Sequence, residues 1–353
     1  MPRKPAKPTV IGGVDTHSAT HHAAVVNLTG QILSDQGFPA TPAGYAAMLA
    51  WMRSLGHLEK VGVEGTGAYG AGLARYLHAE QVSVVEVPRP DRQERRRLGK
   101  SDPIDAEAAA RAVLAGKATV QPKFADGPIE AIRALRVARN GAVKARTAAI
   151  NTLHALVITA PEPLRSQLNV RSTDALVDAC LRLRPDAGRL DDPVQATKTA
   201  LRSVAQRAQT LTHEARRLQV RLVQLTKKAA PNTTAVFALG PDTASALLVT
   251  IGDNPDRLRS EAAFAHLCGV APIPASSGKT NRHRLHRGGD RSANRALHIA
   301  VVVRLRYHQP TKEYVKRRRA EGLSMLEIIR CLKRYLAREV FAAIRADYLA
   351  LGT

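Results

Sequence analysis

A mixed α/β domain followed by largely all-α regions is the fold class this sequence predicts, and three observations carry it. Short apolar runs at residues 9–15, 22–28, 31–38, 60–65 and 82–90 alternate, after the third, with segments of helical period. Beyond about residue 120 the strand signals stop and long helical stretches take over. One of these, within 192–230, spaces Leu201, Val204, Leu211, Leu218, Leu222 and Leu225 near heptad intervals.

The elements follow in order. "TVIGGVD" is an apolar run ending in an acid; "HAAVVNL", "TG" and "QILSDQGF" read as strand, tight turn and strand. In "TPAGYAAMLAWMRSLG" Thr41 suits a helix cap and Pro42 the first turn, while Tyr45, Met48, Leu49 and Met52 share a face. "KVGVEG" is a short buried strand, "GAYGAGLARYLHAEQ" a helix, and "VSVVEVPRP" a strand stopped by proline. A further helix begins in "GKSDPIDAEAAARAVLAGKA", so the order is β-β-β-α-β-α-β-α. Three leading strands in a meander, then alternation, predict a mixed sheet.

Residues 128–158 and 192–230 read as long helices separated by the proline-broken "TAPEPLRSQLNVRSTDA", which predicts an antiparallel helical arm or a helical bundle. In "ALGPDTASALLVTIGD" Gly240-Pro241 turns the chain and Asp242 or Thr243 caps the next helix. The remainder is helical except for the polar loop "PIPASSGKTNRHRLHRGGDRSANR". The expected division is a disordered basic arm at 1–8, an α/β domain at 9–120, a helical coiled-coil arm at 121–232 and a mainly helical C-terminal domain at 233–353.

Composition narrows the function. The chain has 353 residues and 44 % hydrophobic content, enough to bury a core, but with 4 % aromatics that core rests on Ala, Val, Leu and Ile. Lys plus Arg number 53 against 30 acids, a net charge of +23, which self-repels unless a polyanion is near. Nucleic acid is the natural partner, with binding that weakens as salt rises. Cys180, Cys268 and Cys331 show no paired spacing, which argues against a disulfide framework and fits a cytoplasmic protein. The first residues, "MPRKPAKPTV", lack the apolar segment of a secretory signal, and no run of apolar residues is long enough for a membrane span.

Asp102 and Asp105 open the helix after a basic run. Read alone, Asp102 is a good N-cap, Pro103 a good first helical residue and Asp105 a capping-box acid. Three-residue spacing also puts both carboxylates on one face. Asp15 and Glu64 each end a strand, and strand ends deliver side chains to a common edge. Four such acids in a strongly basic chain fit oxygen coordination of Mg²⁺, which removes their mutual repulsion.

"GVDTH", "VEGTGAYG" and "KSDPIDAEAAARA" resemble the Asp, Glu, Asp, Asp signature of the DEDD-type insertion-sequence transposases, and the likeness extends over nearly the whole chain. The resemblance implies an RNase H/RuvC-like first domain in which Asp15, Glu64, Asp102 and Asp105 bind Mg²⁺. It also implies a serine-bearing C-terminal transposase domain, a homodimer or homotetramer, and a noncoding bridge RNA that guides recombination of DNA.

The polar loop is the second chemical site. Ser276 and Ser277 precede Gly278, with Lys279, Arg282, His283, Arg284, His286, Arg287, Arg291 and Arg295 behind them. No Asp-His pairing suggests a hydrolase triad, and taken alone the loop reads as a grip on backbone phosphates. His283 and His286 have metal-pair spacing but no third ligand. The family's Ser-(Ser/Thr)-Gly pattern implies that Ser276, rather than Ser277, is the nucleophile; this loop has one glycine after its serines where many relatives have two. "RPDRQERRRLGK" supplies Arg92, Arg95, Arg96, Arg97 and Lys100 as phosphate contacts beside the acids, and "VKRRRAEG" is a similar run. The function expected is a DNA transposase or recombinase. The alternatives are a metal-dependent structure-specific nuclease that needs no serine, and a nucleic-acid packaging or regulatory protein that needs no metal.

Overall fold

The computed structural model describes residues 7–88, 101–254, 257, 259–277 and 283–351. The chain forms two compact units, one of residues 1–130 with 250–267 and one of 131–249 with 268–353.

The first unit is built on a five-stranded sheet. Its strands are β1 (Thr9–Thr16), β2 (Thr20–Asn27), β3 (Ile32–Pro39), β4 (His57–Glu64) and β5 (Ser83–Val87), in the order β3-β2-β1-β4-β5. β1, β2 and β3 pair antiparallel, as a meander must, while β1, β4 and β5 run parallel. The β2–β3 turn is held by Asn27, whose Oδ1 accepts from Thr29 N at 3.0 Å and Gln31 N at 2.9 Å. Gly30 there takes a φ of 83°, which glycine adopts without strain.

Period-2 alternation splits the sheet into two faces. Val10, Val14, Val61 and Val63 pack toward α1 (Pro42–Leu55) and α2 (Ala71–Ala79), where Met48, Met52, Leu73 and Leu77 complete the core. Thr41 Oγ1 accepts from Gly44 N at 3.2 Å, capping α1 as expected, with Pro42 opening it. Ile11, Val26, Val85 and Val87 face the other way, onto Ala109, Ala110 and Val113 of α3 (Asp102–Leu114).

The position of α3 follows from missing side chains. A Cβ at Gly13 would press into Ala106 O and Ala110 N and come within 2.8 Å of Ala110 Cα; one at Gly62 would lie 2.9 Å from Ala109 O. Two glycines on adjacent strands and an alanine face on the helix therefore let backbone approach backbone. The helix starts one residue earlier than expected: Ser101 is the N-cap, without a side-chain capping bond, and Asp102 is the first helical residue.

α4 (Pro128–Ile158) begins in this unit, its first turn capped from far along the chain. Asp253 accepts from Ile129 N at 2.8 Å and Glu130 N at 3.1 Å. Residues 250–267, with α10 (Glu261–Leu267), therefore group with the N-terminal sheet although they lie far away in sequence.

The second unit is helical. After α4 come α5 (Glu162–Gln167), α6 (Thr173–Leu181), a 3₁₀ turn (Ala187–Arg189) and α7 (Pro193–Ala229). α4 and α7 run antiparallel: Leu153 shares a core with Leu201 and Ala205, and farther along Arg146 Nε donates to Thr212 Oγ1 at 2.8 Å. Of the heptad leucines, Leu201 and Leu222 are buried, while Leu211, Leu218 and Leu225 are half-buried.

α8 (Pro231–Ala235), α9 (Pro241–Ile251), the short hairpin β6 (Ile273–Pro274) and β7 (His283–Arg284), α11 (Arg291–Tyr307), α12 (Gln309–Ala320) and α13 (Met325–Leu351) complete the described chain. Buried Asp347 on α13 caps α8, accepting from Thr233 N at 2.8 Å and Thr233 Oγ1 at 2.6 Å. Arg304 on α11 forks onto Glu339 of α13 at 2.7 and 2.8 Å. Among the described residues no helix is long and apolar enough to cross a membrane.

Candidate metal centre and serine hairpin

Asp15 has the same parity in β1 as Gly13, so it emerges on the α3 face, one step beyond the helix contact. Because Gly13 meets Ala106 and Ala110, moving along β1 to Asp15 means moving toward the N-terminus of α3. That brings Asp15 to Asp102. One ligand atom each from Asp15, His17 and Asp102 lie within 4.8 Å of one another. His17 follows the end of β1, and its Nδ1 stands 3.6 Å from Asp15 Oδ2.

Glu64 reaches the same edge from β4. Val14 pairs with Val63 in parallel register, so Glu64 follows beside Asp15, and it shares its face with Gly62. Thr16 Oγ1 donates to Glu64 O at 2.9 Å, tying the two strand ends together. Asp105, one helical turn into α3 and half-buried, acts on Asp15 through charge.

Burial and neighbouring charge set the electrostatics of the site. Asp15 is 6 % exposed. Burial pushes its carboxyl above the ordinary value; His17 pulls it down, and Asp105 and Asp102 push it up again. Among the described residues no lysine or arginine pairs with Asp15, Asp102 or Asp105. Two carboxylates and an imidazole converging in this way suit a divalent metal ion. His17 was missed by reading the acids alone, yet it stands in "GVDTH" two residues past Asp15, just beyond the end of β1.

The serines sit in the second unit. Ser276 and Ser277 are exposed in the connection between β6 and β7, whose pairing of Ile273 with Arg284 and Pro274 with His283 closes the base of that loop. Arg284 and Arg287 are exposed beyond it, and Arg291 and Arg295 are exposed on the first turns of α11. Asp290 Oδ1 accepts from Ala293 N at 2.8 Å and caps that helix. Arg92, Arg95, Arg96, Arg97, Lys100, Lys279 and Arg282 lie outside the described residues. His283 is exposed on β7 and His286 half-buried after it; neither joins a ligand cluster among the described residues.

Residues 12–160 match the family model of the DEDD-type IS110 transposases. Residues 233–316 match the family described as Transposase IS116/IS110/IS902. The chain belongs to this transposase family. The first match contains all four acids, and the second contains both serines and the basic loop. The chain is also 30 % identical over 166 residues to a 43.6 kDa protein of insertion element IS110 from Streptomyces coelicolor. That alignment covers 46 % of this chain and 38 % of the relative.

Proposed function

We propose that this protein is a DNA recombinase of an insertion sequence, which cuts and rejoins DNA with carboxylates of an RNase H/RuvC-like domain and a serine of its C-terminal domain. The observation that carries the reading is the convergence of Asp15, His17 and Asp102; Glu64, at the end of the neighbouring parallel strand, and Asp105, one turn into α3, lie outside that cluster and are proposed to join it. On this reading Asp15, Glu64, Asp102 and Asp105 hold Mg²⁺. The ion's contribution is to favour the charged oxygens of a phosphodiester in the transition state. The strand order β3-β2-β1-β4-β5 supports the RNase H/RuvC-like assignment.

Ser276 is the nucleophile in this account. Its Oγ loses a proton and bonds to phosphorus as one P–O bond of the strand breaks, and the released deoxyribose oxygen takes a proton. A second strand's hydroxyl then reverses the exchange, so no outside energy source is needed. The exposed arginines Arg284, Arg287, Arg291 and Arg295, with Lys279, Arg282 and the run Arg92, Arg95, Arg96, Arg97 and Lys100, grip backbone phosphate. We further propose that 9–120, 121–232 and 233–353 act as catalytic, assembly and serine-bearing domains, that the α4–α7 arm joins copies into a homodimer or homotetramer, that a noncoding RNA supplies sequence choice, and that the protein acts in the cytoplasm.

The test is strand exchange on element-end DNA. Ser276→Ala abolishes both recombination and a protein–DNA adduct that survives denaturation, while Ser277→Ala retains them. Retention of both in the Ser276→Ala, Ser277→Ala double variant refutes the serine step and leaves a metal-dependent nuclease.

A further inference from the structure

The second unit holds a cavity of about 850 Å³, walled by residues 269–272, the β7 segment, Leu323 and the first turns of α13. Five cations, Arg284, Arg318, Arg330, Lys333 and Arg334, line it against one acid, Glu327. The rim cations are partly balanced: Arg330 lies 3.8 Å from Glu327, and Arg318 pairs with Glu321 outside the cavity.

Lys333 is different. It is 8 % exposed, yet among the described residues no carboxylate pairs with it. Its Nζ donates to Asn294 Oδ1 at 3.0 Å. Asn294 is itself held by donating from Nδ2 to Cys268 O at 2.9 Å and Gly269 O at 3.0 Å, so its amide orientation is set. An ammonium has three donors, and one neutral acceptor does not offset the cost of burying its charge. Burial, and then Arg330, push the amine below its ordinary value. A buried cation facing a basic cavity is short of an anion.

The remaining wall is mixed, with His283 and His286 beside apolar residues. Val270, Ala271, Leu285 and Cys331 contribute apolar surface. Tyr335, 53 % exposed, stands edge-to-face with Tyr314 at 5.7 Å, and the Arg317 and Arg318 guanidiniums lie over the Tyr314 ring. Clustered positive charge and an aromatic ring braced by a second ring are the two parts of a single-strand nucleotide site. The volume is within the range of small-ligand pockets, roughly 300–1,000 Å³.

We propose that this cavity takes one nucleotide of an unpaired nucleic-acid strand, its phosphate on Lys333, Arg330 and Arg334 and its base against Tyr335. The recombinase reading enters only in choosing a strand over a free nucleotide; the cavity and its charge stand without it. Phosphate on a sugar is the chemistry shared by both sources.

The experiment is fluorescence anisotropy of the full chain with a labelled twelve-nucleotide DNA strand and with the same sequence as duplex, at fixed salt. Lys333→Met, Arg330→Ala and Tyr335→Leu each weaken single-strand binding by about tenfold or more and leave duplex binding within about twofold. Thermal melting confirms that each variant folds, and Arg330, on the exposed rim, covers the case in which Lys333→Met does not. AMP and inorganic phosphate at the same phosphate concentration do not displace the strand. Unchanged single-strand binding by folded variants, or equal losses for strand and duplex, overturns the proposal; displacement by AMP overturns the choice of a strand. Asp15→Asn keeps single-strand binding whether or not the recombinase reading holds, so the two failures are separable.

Discussion

Gly13→Ala tests how the metal centre is assembled. The new Cβ would lie 2.8 Å from Ala110 Cα, and nearer still to Ala106 O and Ala110 N. Carbon atoms rest at about 3.5–4.0 Å, so α3 must retreat by roughly 0.7–1.2 Å. The three nearest atoms are all backbone, so no side-chain rotation relieves those contacts. Overpacking of this kind costs about 1–3 kcal/mol. At about 2–4 °C per kcal/mol for a unit of this size, the melting temperature falls by roughly 2–12 °C. The displacement also carries Asp102 away from Asp15. A shift near 1 Å is about half a Mg–O bond of about 2.0–2.1 Å, and misplacement on that scale costs about 10²-fold in rate. Calorimetry reads the first effect and DNA strand exchange the second. Gly37→Ala is the control, because its Cβ would meet only His22 Nδ1, at 3.8 Å. A Gly13→Ala protein that melts and recombines like the Gly37→Ala control would falsify the glycine-seat account.

Other outcomes follow from the same contacts. Asp253→Ala leaves the Ile129 and Glu130 amides without their carboxylate and lowers stability by about 0.5–2 kcal/mol, read by thermal melting; an unchanged midpoint contradicts the long-range cap. His21 is fully buried against Tyr45, with rings 5.6 Å apart, and burial pushes it below its ordinary value. A lowered histidine stabilises the fold above its unfolded value, near 6.5, and loses that contribution as pH falls below it, because only the unfolded chain then gains the proton. His21→Phe should flatten the drop in melting temperature between about pH 7 and 5; an equally steep drop refutes the assignment. His17→Ala removes one member of the ligand cluster and weakens divalent-ion binding by about 10–100-fold, measured by titration calorimetry. Full retention would leave His17 as a neighbour of Asp15 only.

Much of the first unit was legible because its signals are local. Short apolar runs mark β1, β2 and β4, Thr41 and Pro42 mark the start of α1, and strand ends announce Asp15 and Glu64. The expectation that Asp102 caps α3 failed by one residue, since Ser101 can take the extended N-cap conformation and Pro103 is equally at home in the second helical position. What depends on distant partners could not be read. Asp253 looks like a surface acid until the fold brings it to Ile129, and Lys333 looks like one more exposed lysine on a basic helix. The role of Gly13 as a seat for α3 needed the helix in place, although the Gly12-Gly13 pair in an otherwise apolar strand was a visible sign. Half-buried Leu211, Leu218 and Leu225 keep a heptad that the single chain does not fully cover.

The most direct measurement is divalent-ion binding by the full chain, followed by Mn²⁺ electron paramagnetic resonance and competed with Mg²⁺, for the parent and for Asp15→Asn, Asp102→Asn and Lys333→Met. The account predicts saturable binding that falls at least about tenfold in each aspartate variant and persists in Lys333→Met. Parent-like binding in both aspartate variants, with their folds intact, would mean that the convergence of β1 and α3 holds no metal.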